Sequence, residues 1–267
     1  KRINERLLMT IDIKVEVGRN AMNFNTGYLA KQADGAVAVS YGEVVVFATA
    51  VASKSVKEGQ DFFPLTVDYR EKAYAAGKIP GGFIKRESRP SDKEVLVSRL
   101  TDRPLRPLFP EDFVNEVQVI IYVLSADGVN QQDVFAINAA SAALVVSGMP
   151  FHGPVGAVRV GRINGQMIVN PTFKEMDESD IDLVVAGTRK AVTMIEGCSK
   201  NVSEEDMLAA VVFAHDNIKR ICDAQEELGR AVSKPAMEYK PYIPDAELKK
   251  AARERFYQDL VNLKHIT

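Results

Sequence analysis

The chain has 267 residues, 46% apolar and 26% charged, the composition of an ordinary globular protein, so disordered and fibrous classes are excluded. That length allows one large domain, or one domain with an appendage. Lys plus Arg number 34 against 36 Asp plus Glu, a formal net charge of −2, which excludes a globally basic nucleic-acid binder but not a local basic patch.

In chain order, the first half reads mainly as strands. Residues 36–40 and 44–51 are rich in β-branched residues, with Tyr41-Gly42-Glu43 as the hairpin turn between them. Ser91 and Glu94 form a capping box that opens a helix to about Arg103, stopped by Pro104. The largely apolar run of eight residues, 117–124, is short enough for a buried strand. Residues 131–146, rich in Ala, predict a helix that stops at Gly148 and Pro150. Residues 155–160 and 166–169 flank a hairpin signal at Asn164-Gly165, and 181–186 and 191–196 flank a turn at Gly187-Thr188. Ser203 caps the longest helix, with Asp206 three positions on. Its apolar stripe is Met207, Val211, Ala214, Ile218, Ile221 and Leu228, and Gly229 is the expected terminator. Three prolines in residues 233–244 predict a linker, after which Asp245 caps a charged amphipathic helix to about Leu263. The sum is an α+β domain over 1–232, built of antiparallel hairpins with helices packed on one side. Residues 233–267 then supply a linker and the first helix of an all-α domain.

Cys198 and Cys222 are too few for a disulfide framework or a thiolate metal site and read as reduced thiols. His152, His215 and His265 stand in unrelated contexts, and no apolar run reaches membrane-spanning length. The first six residues carry no signal-peptide apolar region and no initiator Met, so a trimmed chain, or part of a longer one, is expected.

The densest signal lies at residues 74–92. Gly77, Gly81 and Gly82 around Ile79-Pro80 predict a loop, with Phe83, Ile84, Lys85 and Arg86 at its tip. An aromatic ring beside cations is the pairing that holds single-stranded nucleic acid, by stacking and phosphate contact; alternatively Phe83 folds into the core and the cations are solvated. Arg99 and Arg103 lie four apart on the following helix, flanked by Arg89 and Arg106. From Lys85 to Arg106 there are seven basic and four acidic residues, a local +3. Arginine at all four positions suits bidentate work on phosphate; Asp102 and Glu94 could instead neutralise it. Glu175, Asp177, Glu178, Asp180 and Asp182 form an acidic cluster that could hold Mg²⁺, but such a cluster is more often a surface turn. No phosphate-binding P-loop, dinucleotide fingerprint or nucleophile elbow is present.

Longer motifs carry a resemblance. Residues 59–69 (GQDFFPLTVDY), 74–80 (YAAGKIP), 98–110 (SRLTDRPLRPLFP), 115–119 (NEVQV), 153–157 (GPVGA), Asn170-Pro171 and 183–187 (LVVAG) resemble the polynucleotide phosphorylase family. The resemblance implies the first of two ribonuclease-PH-like cores, a fold of mixed and antiparallel sheets with packed helices like domain 2 of ribosomal protein S5. The start of a helical linker domain would follow it. It implies a homotrimeric ring that degrades single-stranded RNA from the 3′ end with inorganic phosphate as co-substrate, releasing nucleoside diphosphates. It also implies RNA-degradation assemblies with a helicase or an endonuclease; the absence of a transit-like leader favours a bacterial-type cytoplasmic over an organellar setting, and no membrane is expected.

By the same resemblance, the RNA-gripping pore loop falls on Phe83, Ile84, Lys85 and Arg86. Here Ile84 replaces an aromatic, which weakens stacking, and Lys85 replaces an arginine, which keeps charge without the planar fork. Arg89, Arg99, Arg103 and Arg106 match arginines at the edge of the phosphorolytic site. Catalysis and Mg²⁺ binding belong to the second core of that family. The corresponding serine run falls here on Gln131-Gln132-Asp133, the two aspartates on Met176 and Asp182, and the lysine on Val184. The resemblance therefore implies no catalytic residue and no metal site in this core.

Overall fold

The computed structural model of the chain describes residues 10–81, 87–242 and 245–263. Among these described residues ten strands form two sheets. The first holds β1 (Ile11–Val17), β2 (Asn20–Thr26), β3 (Gly35–Tyr41), β4 (Val44–Ala52), β5 (Leu65–Glu71) and β6 (Val117–Ser125) in the order β1-β2-β3-β4-β6-β5. Only the β5–β6 pair is parallel, and α1 (Asp92–Leu105), packed on β5, lies in the crossover that such a pair requires. The second sheet, β7 (Gly156–Ile163), β8 (Gln166–Val169), β9 (Ile181–Gly187) and β10 (Val192–Ser199), is antiparallel in the order β10-β9-β7-β8. The strands at 36–40, 44–51 and 117–124 stand where the sequence puts them. Strands β1, β2 and β5 are not among the predicted elements, although β1 reads Ile-Asp-Ile-Lys-Val-Glu-Val, the alternation of a half-buried strand.

Two helices lie between the sheets. Helix α2 (Asp133–Val145) packs on β3 and β4 on one side and β7 on the other, and every residue from Val134 to Leu144 is buried. A helix without a polar face can only be central, and its small residues let the sheets close on it. At Gly35 a Cβ would stand 1.9 Å from the Ala143 carbonyl oxygen. Helix α4 (Glu204–Val232) lies against β7, β9 and β1 with the predicted stripe inward.

Side chains from these helices complete the edge of β7 that β8 does not reach. Asn138 accepts from the Ala157 N–H and donates to its carbonyl, both at 2.8 Å. Ser141 accepts from the Val155 N–H (2.8 Å) and donates to Gln225, whose amide donates to the Val155 carbonyl (2.8 Å). Each buried backbone group thereby avoids the cost of an unmade hydrogen bond.

Several boundaries differ from expectation. Pro104 does not stop α1; it sits one residue from the helix end, and a 3₁₀ turn, Arg106–Leu108, follows. Gly229 does not end α4, which runs to Val232 and is capped by Ser233 at φ 47°. Gly229 instead allows close approach, since a Cβ there would meet Val145 at 2.7 Å. The acidic turn before β9 contains a short helix, α3 (Phe173–Glu178), with a Thr172–Glu175 capping box. The proline-rich segment after α4 is docked rather than free. Met237 N–H donates to the Gly148 carbonyl (2.7 Å), Tyr242 N–H to the Asp112 carbonyl (2.8 Å), and Tyr239 meets Phe113 edge-on at 5.0 Å. Beyond it α5 (Ala246–Leu263) buries no residue.

Candidate nucleic-acid interface

The loop predicted at residues 74–92 begins on a 3₁₀ turn, Ala73–Ala76, closed by Gly77 at φ 65°. Phe83, Ile84, Lys85 and Arg86 lie outside the described residues. The two feet of the loop are tied together. Lys72 Nζ donates to the Glu87 carbonyl (2.5 Å), and the Ala73 N–H donates to the Glu87 carboxylate (2.7 Å). On the near foot Tyr74 is 53% and Ile79 91% exposed, and Lys78 is exposed between them. None of these three is among the site residues expected from the sequence. Their signal was their position inside the glycine-punctuated segment.

Helix α1 presents the arginines. Its start is fixed by Glu94, whose carboxylate accepts from the Ser91 N–H (2.7 Å), the Ser91 hydroxyl (2.9 Å) and the Glu71 N–H (2.8 Å). Burial acts against that charge, but the hydrogen bonds prevail and hold the carboxyl below its ordinary range. From this anchored end Arg99 and Arg103 project to solvent on one face with Val95 and Leu96, and Arg89 is exposed just upstream. Arg99 and Arg89 have no acidic partner within 4 Å among the described residues, whereas Arg103 is ion-paired to Glu196 on β10. Arg106 is committed to the fold. It pairs with Asp102 at 2.9 Å, donates to the carbonyls of Phe63 (3.2 Å) and Leu65 (3.1 Å), and lies 6.0 Å from the Phe63 ring centre. Arg106, also expected at the anion site, stays part-exposed but turns most of its donors to the fold. Those donors close the α1–β5 junction.

A second cluster gathers where α2 begins. Asp133, Asp182 and Val184 come together here, around a residue the sequence did not single out, Arg159 on β7. Its guanidinium pairs with Asp133 at 2.5 Å and with Asp182, and its side chain is 11% exposed. Burial disfavours the Arg159 cation, but the two carboxylates more than offset this and raise its pKa. Asp180 turns instead to Arg162 (2.6 Å), which also holds Asp206 (2.7 Å). Asp180 and Asp182 therefore serve different arginines. Met176 and Val184 offer no oxygen or nitrogen ligand, and no group of three or more acidic, His or Cys side chains converges among the described residues. The residues here do not fit Mg²⁺. The signal for Arg159 was a lone charge in the apolar run Val-Gly-Ala-Val-Arg-Val, a position that predicts burial and hence a partner.

No helix among the described residues is long and apolar enough to cross a membrane. Residues 19–150 match the family model described as 3′ exoribonuclease family, domain 1, and residues 153–217 match domain 2 of the same family. The break between the two falls after α2 and before β7, where one sheet gives way to the other. Polyribonucleotide nucleotidyltransferase of Geotalea uraniireducens (strain Rf4) is 52% identical over 249 residues, 93% of this chain and 36% of that protein. The protein of that name from Geotalea daltonii is 51% identical over the same share. The chain thus spans about a third of the length of these curated relatives. Among solved structures, rice (Oryza sativa) Rrp46 superposes with a TM-score of 0.60 at 17% identity, over 85% of this chain and 98% of that one, a likeness of fold.

Proposed function

The chain belongs to the 3′ exoribonuclease family, and on that premise we propose that it is the first core of a polyribonucleotide nucleotidyltransferase, one that guides single-stranded RNA and builds the ring without performing the chemistry. The observation that carries this reading is a division of charge. On α1, Arg99 and the nearby Arg89 hold exposed cations without acidic partners within 4 Å among the described residues, beside a loop pinned at both feet. The carboxylates of Asp133 on α2 and Asp182 on β9 are already engaged by one cation, Arg159. A polyanion meets free positive charge on the first surface, and among the described residues no metal ligand set awaits it on the second.

In this reading Phe83, Ile84, Lys85 and Arg86 contact RNA from the loop tip, while Arg89, Arg99 and Arg103 supply positive potential at the edge of the neighbouring active site. Mg²⁺ and inorganic phosphate are held by the second core, where phosphate attacks the terminal phosphodiester to release a nucleoside diphosphate. Three such chains form the ring in a bacterial-type cytoplasm, open to RNA-degradation partners such as a helicase or an endonuclease. A second reading, that the chain by itself is a noncatalytic RNA-binding and trimerising module, is favoured by the Arg159 pairing and describes the same core without its partner.

The test uses the 267-residue chain with labelled poly(A). Anisotropy at two salt concentrations is expected to report binding that weakens with salt, and diphosphate release with phosphate and Mg²⁺ is expected to stay at background. Phosphorolysis by the purified chain would overturn the assignment of chemistry to the second core. Salt-insensitive or absent binding would overturn the guiding role.

A further inference from the structure

Arg159 stands between two carboxylates that come from different elements, Asp133 in the first turn of α2 and Asp182 on β9. Each part of the arrangement is fixed before anything binds. One Asp133 oxygen accepts from the Val134 N–H (2.8 Å), which leaves the other for the guanidinium. The Arg159 backbone is clasped on both sides by Asn170, whose side chain accepts its N–H (3.0 Å) and whose own N–H donates to its carbonyl (2.7 Å). Asn170 reaches this position through a left-handed backbone, φ 49°. The strand is interior to its sheet, so the side chain has one direction to take.

Two carboxylates that flank one guanidinium make a negative pocket, and a divalent cation is the other kind of charge that could enter it. A free divalent cation would have to displace a tethered one, and it would find no third ligand at Met176 or Val184. We infer that Arg159 is a built-in counter-cation that occupies the space between Asp133 and Asp182 and closes the pair to divalent metal ions. The inference concerns Arg159 as a positioning residue and does not rest on RNA binding.

Mn²⁺ titration followed by electron paramagnetic resonance tests it, on the wild-type chain, Arg159→Met, Arg159→Lys and the double variant Arg159→Met/Asp182→Asn. Methionine keeps much of the volume and removes the charge, leaving two carboxylates facing each other. Arg159→Met is expected to bind one Mn²⁺ at least about tenfold tighter than wild type, with a melting midpoint that Mn²⁺ raises in the variant only. The gain is expected to vanish in the double variant. Lysine, which cannot bridge both carboxylates, is expected to give a smaller gain. A folded Arg159→Met chain that binds Mn²⁺ no tighter than wild type would overturn the inference, as would a double variant that keeps the full gain. If circular dichroism shows that Arg159→Met does not fold, Arg159→Lys decides: any gain in Mn²⁺ affinity supports the counter-cation, and none overturns it.

Discussion

Arg99 and Arg106 sit about two helical turns apart on neighbouring segments and do opposite work. Arg106 spends its donors on Asp102 and two carbonyls, whereas Arg99 stands in solvent. Arg99→Glu should therefore weaken poly(A) binding and flatten the plot of log affinity against log salt by about 0.7, the slope that one neutralised phosphate adds on a single strand. The melting midpoint should not move, since an exposed side chain with no acidic partner among the described residues contributes little stability. Arg106→Ala should do the reverse, lowering stability with little change in the salt slope. Glu94 gives a pH signature. Its folded pKa is lowered, so the stability it contributes is present above the ordinary carboxylate pKa and is lost as pH falls through the lower folded value. In urea unfolding across that acid window, Glu94→Gln should be less stable than wild type at neutral pH. The two should converge as the wild-type carboxyl takes up its proton.

At the scale of elements, α2 is the member on which both sheets depend. Its small side chains set how near β3 can come, and at Gly35 a methyl group would stand 1.9 Å from a backbone oxygen. Gly35→Ala should cost about 3 kcal/mol, because neither backbone can yield without moving the helix or the strand. Ser141→Ala should cost about 1–3 kcal/mol by leaving the Val155 N–H and the Gln225 oxygen unpaired in the core. Chemical denaturation followed by circular dichroism measures both, and an Ala143→Gly background should recover none of the Gly35→Ala loss, since the clash is with the Ala143 carbonyl rather than its side chain. The proline-rich strap belongs to the same scale. Gly148, at φ 82°, passes so near Pro235 that a Cβ would stand 2.5 Å from its carbonyl oxygen, so the strap can lie flat only over glycine.

For the whole molecule, the two sheets match separate family models yet share one contiguous core. Val37, Val46 and Ile121 from one sheet and Val158 and Leu183 from the other are joined through α2 and α4. Tyrosine fluorescence and far-ultraviolet circular dichroism should therefore give coincident urea transitions. Two separated transitions would show that each sheet folds by itself. The charge distribution acts at the same scale. With a net charge of −2, the molecule has no global attraction for a polyanion, and the proposed RNA contact rests on where its cations are left exposed.

By itself, the sequence determined the class of fold, the central strands, the stripe of α4, the capping box of α1 and the family resemblance, because each rests on a local period or a contiguous motif. It also marked the loop and α1 as cationic, since charge density along a chain needs no coordinates. Only the tertiary structure decided which cations are spent. Glu196 reaches Arg103 from 93 residues away, Phe63 and Leu65 reach Arg106 from 43 and 41 away, and Asp133 and Asp182 reach Arg159 from 26 and 23 away. Gly229 fails as a helix stop for the same reason. A residue's local preference is outweighed when packing on a distant element, here Val145 against Gly229, stabilises the continuing turn. Partners so far apart in sequence leave no periodic trace along the chain, and the free or neutralised state of a charge is a property of the pair.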